Sequence, residues 1–245
     1  MHTLAALDRQ FVWHPFTQMR DWLASEPIVI ESGRGAVLWD VKGREYLDAN
    51  SSIWTNLHGH QNPEINRALQ RQLKKIAHSS ALGLANEPAS LLAEKLCGAA
   101  RLPKVFFSDD GSTAVETGLK MVLQGYAQNG ESRRQDFISP EGAYHGDTLG
   151  AMSLGKSETF HHHYRPLLFP TRRVMAPACY RCPFNKAKPE AGDARHYRQC
   201  DFECAALAVE EIERAGDRLA AWVLEPKIQG AAGMIMHPEG YAKTT

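Results

Sequence analysis

The stretch from Lys104 to Tyr126 constrains the fold more than any other part of the chain. Lys104-Val105-Phe106-Phe107 is short and apolar enough to predict a strand, and it runs directly into the small polar turn Ser108-Asp109-Asp110-Gly111-Ser112-Thr113. Val115, Leu119, Val122 and Tyr126 then recur at helical spacing. Strand, small-residue turn and helix together make the βα unit of a parallel sheet, because parallel neighbours need a crossover and a helix supplies it. Two more strands are expected at Asp136-Phe137-Ile138-Ser139 and Ala220-Ala221-Trp222-Val223-Leu224. The second is nearly all apolar, as a strand covered on both faces must be. A helix is expected between them, near Ala205 to Arg214, so the fold class is α/β.

Upstream the grammar is different. From Pro27 to Asp48 apolar and polar residues alternate around Gly33, Gly35 and Lys42-Gly43, which predicts a small antiparallel β unit. Asn62-Pro63-Glu64 then supplies a cap, an N1 proline and a first-turn acid ahead of the stripe Ile65, Leu69, Leu73, Ile76. Asn86-Glu87-Pro88 opens a second helix carrying Leu92 and Leu96. The expected division is an N-terminal arm and part of a small α/β domain at 1–75, then a large α/β domain at 76–245. The segment Gly240 to Thr245 suggests neither a closing strand nor a terminal helix, so the large domain is expected to be incomplete.

Lys plus Arg and Asp plus Glu each total 28, so no net field favours a nucleic acid or an anionic membrane. Any anion site must be local. The opening MHTLAALDRQF lacks the basic start and long apolar core of an export signal, and no later run is apolar enough to span a bilayer, so a cytoplasmic protein is expected.

Three polar segments follow predicted strands, where ligands collect in open α/β sheets. Gly111-Ser112-Thr113 brings backbone N–H groups and two hydroxyls to the positive end of a helix dipole, which suits a phosphate, although Ser112 or Thr113 could equally be a plain helix cap. Gly142 to Thr148 offers the Tyr144 ring and the His145 imidazole between glycines, and Glu225 to Met234 releases a carboxylate into a glycine-rich loop. Either segment alone reads equally as an ordinary loop. A doubly wound sheet would carry all three to one edge.

Five cysteines without an export signal argue against a disulfide framework. Cys179-x-x-Cys182 and Cys200-x-x-x-Cys204 are spaced as two metal half-sites within a polar insertion at about 177–204, offering a zinc or iron–sulfur site, with free loop thiols as the alternative. Cys97 is expected in the core. The run His161-His162-His163 lacks ligand spacing and is expected in a solvated loop.

Taken in order, Trp13-His14-Pro15-Phe16-Thr17-Gln18-Met19, Ser51-Ser52-Ile53-Trp54, Asp110-Gly111-Ser112, Tyr144-His145-Gly146-Asp147-Thr148 and Glu225-Pro226 with Gln229-Gly230 resemble the class III pyridoxal-phosphate-dependent aminotransferases. WHPFTQM and YHGDT resemble the branch of that class that serves biotin synthesis. The resemblance implies a fold type I transferase, homodimeric, which aminates 8-amino-7-oxononanoate with S-adenosylmethionine, or alternatively lysine, as donor. It implies Gly111, Ser112, Tyr144, His145 and Glu225 as contacts to pyridoxal 5′-phosphate, and Phe16, Ile53, Trp54 and Tyr144 as the substrate wall. Many members carry tyrosine in place of Phe16 and tryptophan in place of Ile53. The class's Schiff-base lysine has no counterpart among these residues, so the chain is expected to be C-terminally truncated and inactive alone. Other ω-amino acid transaminases, or a non-catalytic fragment, are the competing readings.

Overall fold

The computed structural model describes residues 3–155, 158–188 and 191–245, and the chain divides into two compact units, Met1–Arg101 and Leu102–Thr245. The break between the units falls after the second predicted helix, whereas the sequence reading placed its division at 75/76.

The first unit opens with helices α1 (Leu4–Phe11) and α2 (Met19–Ala24), followed by the antiparallel meander β1 (Ile30–Arg34), β2 (Val37–Asp40) and β3 (Glu45–Leu47). Asp40, buried at the end of β2, organises the β2–β3 turn. Its carboxylate accepts from the Lys42 and Arg44 backbone N–H groups at 2.9 Å each, from Arg44 Nε at 2.7 Å and from the Tyr46 hydroxyl at 3.0 Å. Burial alone would raise its pKa, but these donors outweigh burial and hold it at about 2. A single helical turn, α3 (Ser51–Trp54), precedes α4 (Pro63–Lys75) and α5 (Glu87–Ala100). Both long helices start where the Asn-Pro and Asn-Glu-Pro signals place them, with Asn62 and Asn86 accepting first-turn N–H groups. Removing the Asn62 cap as Asn62→Ala is expected to cost about 1 kcal/mol, read as a lower denaturant midpoint with an unchanged slope.

The second unit carries the parallel sheet. Helix α6 (Gly111–Gln128) leads to β4 (Asp136–Pro140); α7 (Leu149–Gly155) and α8 (Glu158–His161) lead to β5 (Arg172–Val174); α9 (Ala194–Tyr197) and α10 (Glu203–Ala215) lead to β6 (Leu219–Trp222). The order is β5-β4-β6, all parallel. Alternation along β4 sends its neighbours to opposite faces. Phe137 packs with Leu119, Leu154 and Ala220 under α6 and α7, while Ile138 packs with Val174, Ala208 and Ala215 under α10. Two helical layers over a nearly all-apolar sheet explain why β4 and β6 read as continuous hydrophobic runs.

Four expectations are corrected here. Lys104–Phe107 is not a strand: β4 is already paired by β5 on one side and β6 on the other, no described strand lies beside 104–107, and Phe106 stays exposed. Strand β6 stops at Trp222, two residues short of Leu224. The glycine-rich stretch after Glu225 contains a hairpin, β7 (Ile228–Gln229) with β8 (Ile235–Met236). The last residues form a one-turn helix, α11 (Tyr241–Thr244), because the Tyr241 ring is buried against Cys204 and Ala205.

Candidate functional site

Helix α6 begins with a reciprocal cap. The Asp110 carboxylate accepts from the Thr113 N–H at 2.8 Å, and the Thr113 hydroxyl accepts from the Asp110 N–H at 2.9 Å. Capping therefore belongs to Asp110 and Thr113 and not to Ser112. At the first turn no helical carbonyl reaches the Gly111 and Ser112 N–H groups, so they remain as donors at the positive end of an 18-residue helix.

The loop after β4 closes on this end. Gly146 lies so near Ser112 that a Cβ there would overlap Ser112 Oγ, and its φ of +126° is a conformation side-chain-bearing residues rarely adopt. Glycine is required on both counts. On the other side of the loop, the Tyr144 N–H donates to Glu225 Oε1 at 2.9 Å, and the Gly230 N–H donates to Glu225 Oε2 at 3.0 Å. One carboxylate thus joins the post-β4 loop to the post-β6 loop. Gln229 Nε2 adds a second tie to the Glu141 carbonyl at 2.8 Å. Glu116, one turn into α6, accepts from the Gly150 N–H at 2.6 Å and so fixes the start of α7 against α6. The three segments expected at one sheet edge do meet there, with Gly111, Ser112, Tyr144, His145 and Glu225 all within the second unit.

Electrostatics sort the loop's groups. The Tyr144 hydroxyl donates to Asp147 Oδ2 at 2.5 Å, and desolvation with that hydrogen bond pushes its pKa up to about 12, so the phenol stays neutral. Burial, with the Arg173 cation as the lesser cause, lowers His145 to about 4. Its Nε2 and Thr148 Oγ1 are buried without a hydrogen-bond partner among the described residues. A histidine depressed in the fold resists protonation that the unfolded chain accepts. Its stabilising contribution is therefore complete above pH 6.5 and is lost as pH falls from 6.5 toward 4. His237, also lowered by burial, has the same sign. Thermal midpoints should fall across that window, and His145→Gln should flatten the slope.

Within the first unit, Phe16, Ile53 and Trp54 share an unusual backbone. Phe16 has φ 49°, and φ is 51°, 51°, 58° and 65° from Ser51 to Trp54, so α3 winds left-handed. Such a conformation is strained for a β-branched residue like Ile53, and strain of this kind concentrates at functional sites. Asp48 holds the turn: it accepts from the Ser52 N–H at 2.8 Å, from the Ser52 hydroxyl at 2.9 Å and from His60 Nε2 at 2.8 Å. All three side chains remain exposed.

Residues 20–245 match the family model for aminotransferase class-III. The chain belongs to the class III aminotransferases. Among the most similar relatives of this class III chain are the adenosylmethionine-8-amino-7-oxononanoate aminotransferases of Geobacter sulfurreducens, 47% identical over 243 residues, and of Methanocaldococcus jannaschii, 44% identical over 236. These alignments cover 98% and 96% of this chain but 52% and 51% of the relatives, so the chain spans about half the length of the curated proteins it matches. The M. jannaschii crystal structure superposes with a TM-score of 0.86 at 41% identity, covering 98% of this chain and 50% of that one. The omega transaminase from Pseudomonas jessenii, solved in complex with PMP, also reaches 0.86, at 28% identity over 99% of this chain and 52% of its own.

Several residues beside these loops were given no role of their own in the sequence reading. Asp147 is one, bonded to Tyr144 and, at 3.2 Å, to His161 Nε2. His161 is itself a correction, since it is buried rather than solvated. Glu116 and Gln229 are the others, whose contacts close over long separations. Cys97 is half-buried on α5, not core. Among the described residues no group of three or more His, Cys, Asp or Glu side chains stands in metal-ligating geometry, the expected set Cys179, Cys182, Cys200 and Cys204 included.

Proposed function

We propose that this chain supplies the phosphate- and ring-binding half of a pyridoxal 5′-phosphate-dependent transferase that aminates 8-amino-7-oxononanoate to 7,8-diaminononanoate in biotin biosynthesis. S-adenosylmethionine is the proposed amino donor, with lysine as the alternative. The observation that carries the reading is the closure of the Tyr144–Thr148 loop onto the α6 N-terminus, where Gly146 abuts Ser112 and Glu225 holds the loop's far side.

The residues present fit the cofactor. The Gly111 and Ser112 N–H groups and the Ser112 hydroxyl suit a phosphate dianion at a helix start. A side chain at Gly146 would fill the cradle. Tyr144 offers a neutral aromatic face, and the unpartnered Nε2 of His145 offers a neutral polar atom beside it in sequence. Glu225 orients Tyr144 through its backbone N–H and is proposed to lie on the cofactor side of the loop. When bound, the cofactor supplies an electron sink for the carbon that loses or gains the amino group. Phe16, Ile53 and Trp54 are proposed to form an apolar wall for a long aliphatic keto acid, each placed by the strained backbone its segment keeps.

The residues 1–245 are proposed to bind and orient without completing turnover. Lys227, the lysine nearest Glu225 in sequence, is exposed on a left-handed backbone. The intact enzyme is proposed to be a cytoplasmic homodimer acting on small molecules; among the described residues no helix is long and apolar enough to cross a membrane. Borohydride reduction of the chain with pyridoxal phosphate, followed by peptide mass spectrometry, is expected to give only scattered surface modification. A single lysine modified in full, Lys227 for instance, would overturn the non-catalytic reading. The substrate assignment is tested separately by titration: 8-amino-7-oxononanoate should bind the cofactor-loaded chain at least about tenfold more tightly than 4-aminobutyrate. Equal affinities would favour an ω-amino acid transaminase, a reading that the P. jessenii superposition keeps open.

A further inference from the structure

We propose that Cys179, Cys182, Cys200 and Cys204 form a four-thiolate site for one zinc ion, independent of the cofactor site. The four cysteines line a single small cavity, together with Asn185, Arg198 and Phe202. They reach it from three different pieces of chain. Cys179 and Cys182 flank a tight turn in which the Cys182 N–H donates to the Cys179 carbonyl at 3.4 Å, with Arg181 at φ 55° and Asn185 Nδ2 donating to the same carbonyl at 3.2 Å. Cys200 comes from the loop before α10. Cys204 is the second residue of α10 itself.

The extra residue in the second pair, three between Cys200 and Cys204 rather than two, is taken up by Phe202, which sits left-handed at φ 62°. Both residues line the cavity despite the longer spacing.

Packing alone does not account for the cluster. A buried cysteine acting as a small hydrophobe wants apolar neighbours, yet Cys182 and Cys200 are only half-buried, and Arg198 places Nη1 3.1 Å from Cys200 Sγ while stacking over the Phe202 ring. A cation against the sulfur suits an anionic cluster. Four thiols binding Zn²⁺ release four protons and leave a complex of net charge −2, which Arg198 partly offsets. The four residues line one cavity without standing in ligating geometry, and binding would draw their sulfurs to about 2.3 Å from the ion. The ion would then cross-link the turn at 179–182, the loop before α10 and α10 itself, a region otherwise poor in regular structure.

The test uses the full chain, purified reduced, loaded with Zn²⁺ and desalted, with metal counted by mass spectrometry. About one zinc per chain is expected, with Co²⁺ giving the intense visible bands of a tetrahedral thiolate site. Cys182→Ser and Cys200→Ser, at half-buried positions, should lower retained zinc by roughly tenfold or more, while Cys97→Ser retains it. Wild-type chain that retains no zinc, a Cys182→Ser/Cys200→Ser double variant that keeps it, or sulfide-containing iron in place of zinc would each overturn the proposal.

Discussion

Gly146→Ala is expected to lower stability by about 3 kcal/mol and to abolish measurable binding of a phosphate ester. Two separate penalties act at this one position. A φ of +126° lies where a Cβ-bearing residue is strained by about 1–3 kcal/mol. The added methyl also overlaps Ser112 Oγ and Cβ, so either the Tyr144–Thr148 loop must lift from the α6 N-terminus or α6 must move. α6 packs through Leu119 into the core beneath β4, so the loop is the part that yields. Chemical denaturation reads the first effect and phosphate-ester titration the second. An alanine variant with wild-type stability and wild-type binding would show that the loop and the helix end do not form one cradle.

Glu225→Ala is expected to cost about 3 kcal/mol, since two charge-assisted hydrogen bonds disappear and leave the Tyr144 and Gly230 N–H groups partly buried without acceptors. Glu225→Gln, whose amide oxygen still accepts, should recover part of the loss. Amide hydrogen exchange locates the effect: Tyr144 and Gly230 should lose protection in the alanine variant, while Ile138 at the sheet centre keeps it. Uniform loss across both loops and the sheet would assign Glu225 a general packing role instead of the specific bridge.

The parts of this fold that sequence made legible are those fixed by local physics. Asn62-Pro63 and Asn86-Glu87-Pro88 announce α4 and α5 because a cap and a first-turn proline act within one turn, and the apolar runs at 136–139 and 220–224 announce β4 and β6 because both faces are covered. Lys104–Phe107 failed for the opposite reason. A strand exists only with a hydrogen-bonding neighbour, and its apolar letters carry no information about whether one is present. The β7–β8 hairpin was hidden by glycines that read as an open loop, and α11 depends on burial of Tyr241 against α10, far away in sequence.

The site shows the same division. Gly111-Ser112 stands out because small residues open a helical stripe, and Tyr144-His145 because an aromatic and an imidazole follow β4. That Asp110 and Thr113 make the cap, freeing Ser112, needed the hydrogen bonds. The bridge from Glu225 to Tyr144 closes across 81 positions, and the contact of Asp147 with His161 is invisible in a run of three histidines. The left-handed turn at Ser51–Trp54 could not be foreseen either, since no glycine marks it and Asp48 and His60 hold it from outside.

The central claim is that the α6 N-terminus, Ser112 and the Gly146 loop together hold a phosphate, and the direct measurement compares the affinity of the chain for pyridoxal phosphate with that for pyridoxal, which lacks the phosphate. The account predicts a preference of roughly thirtyfold, about 2 kcal/mol, which shrinks severalfold in Ser112→Ala and is lost in Gly146→Ala. Equal affinities for the two compounds, or a preference untouched by both substitutions, would contradict it.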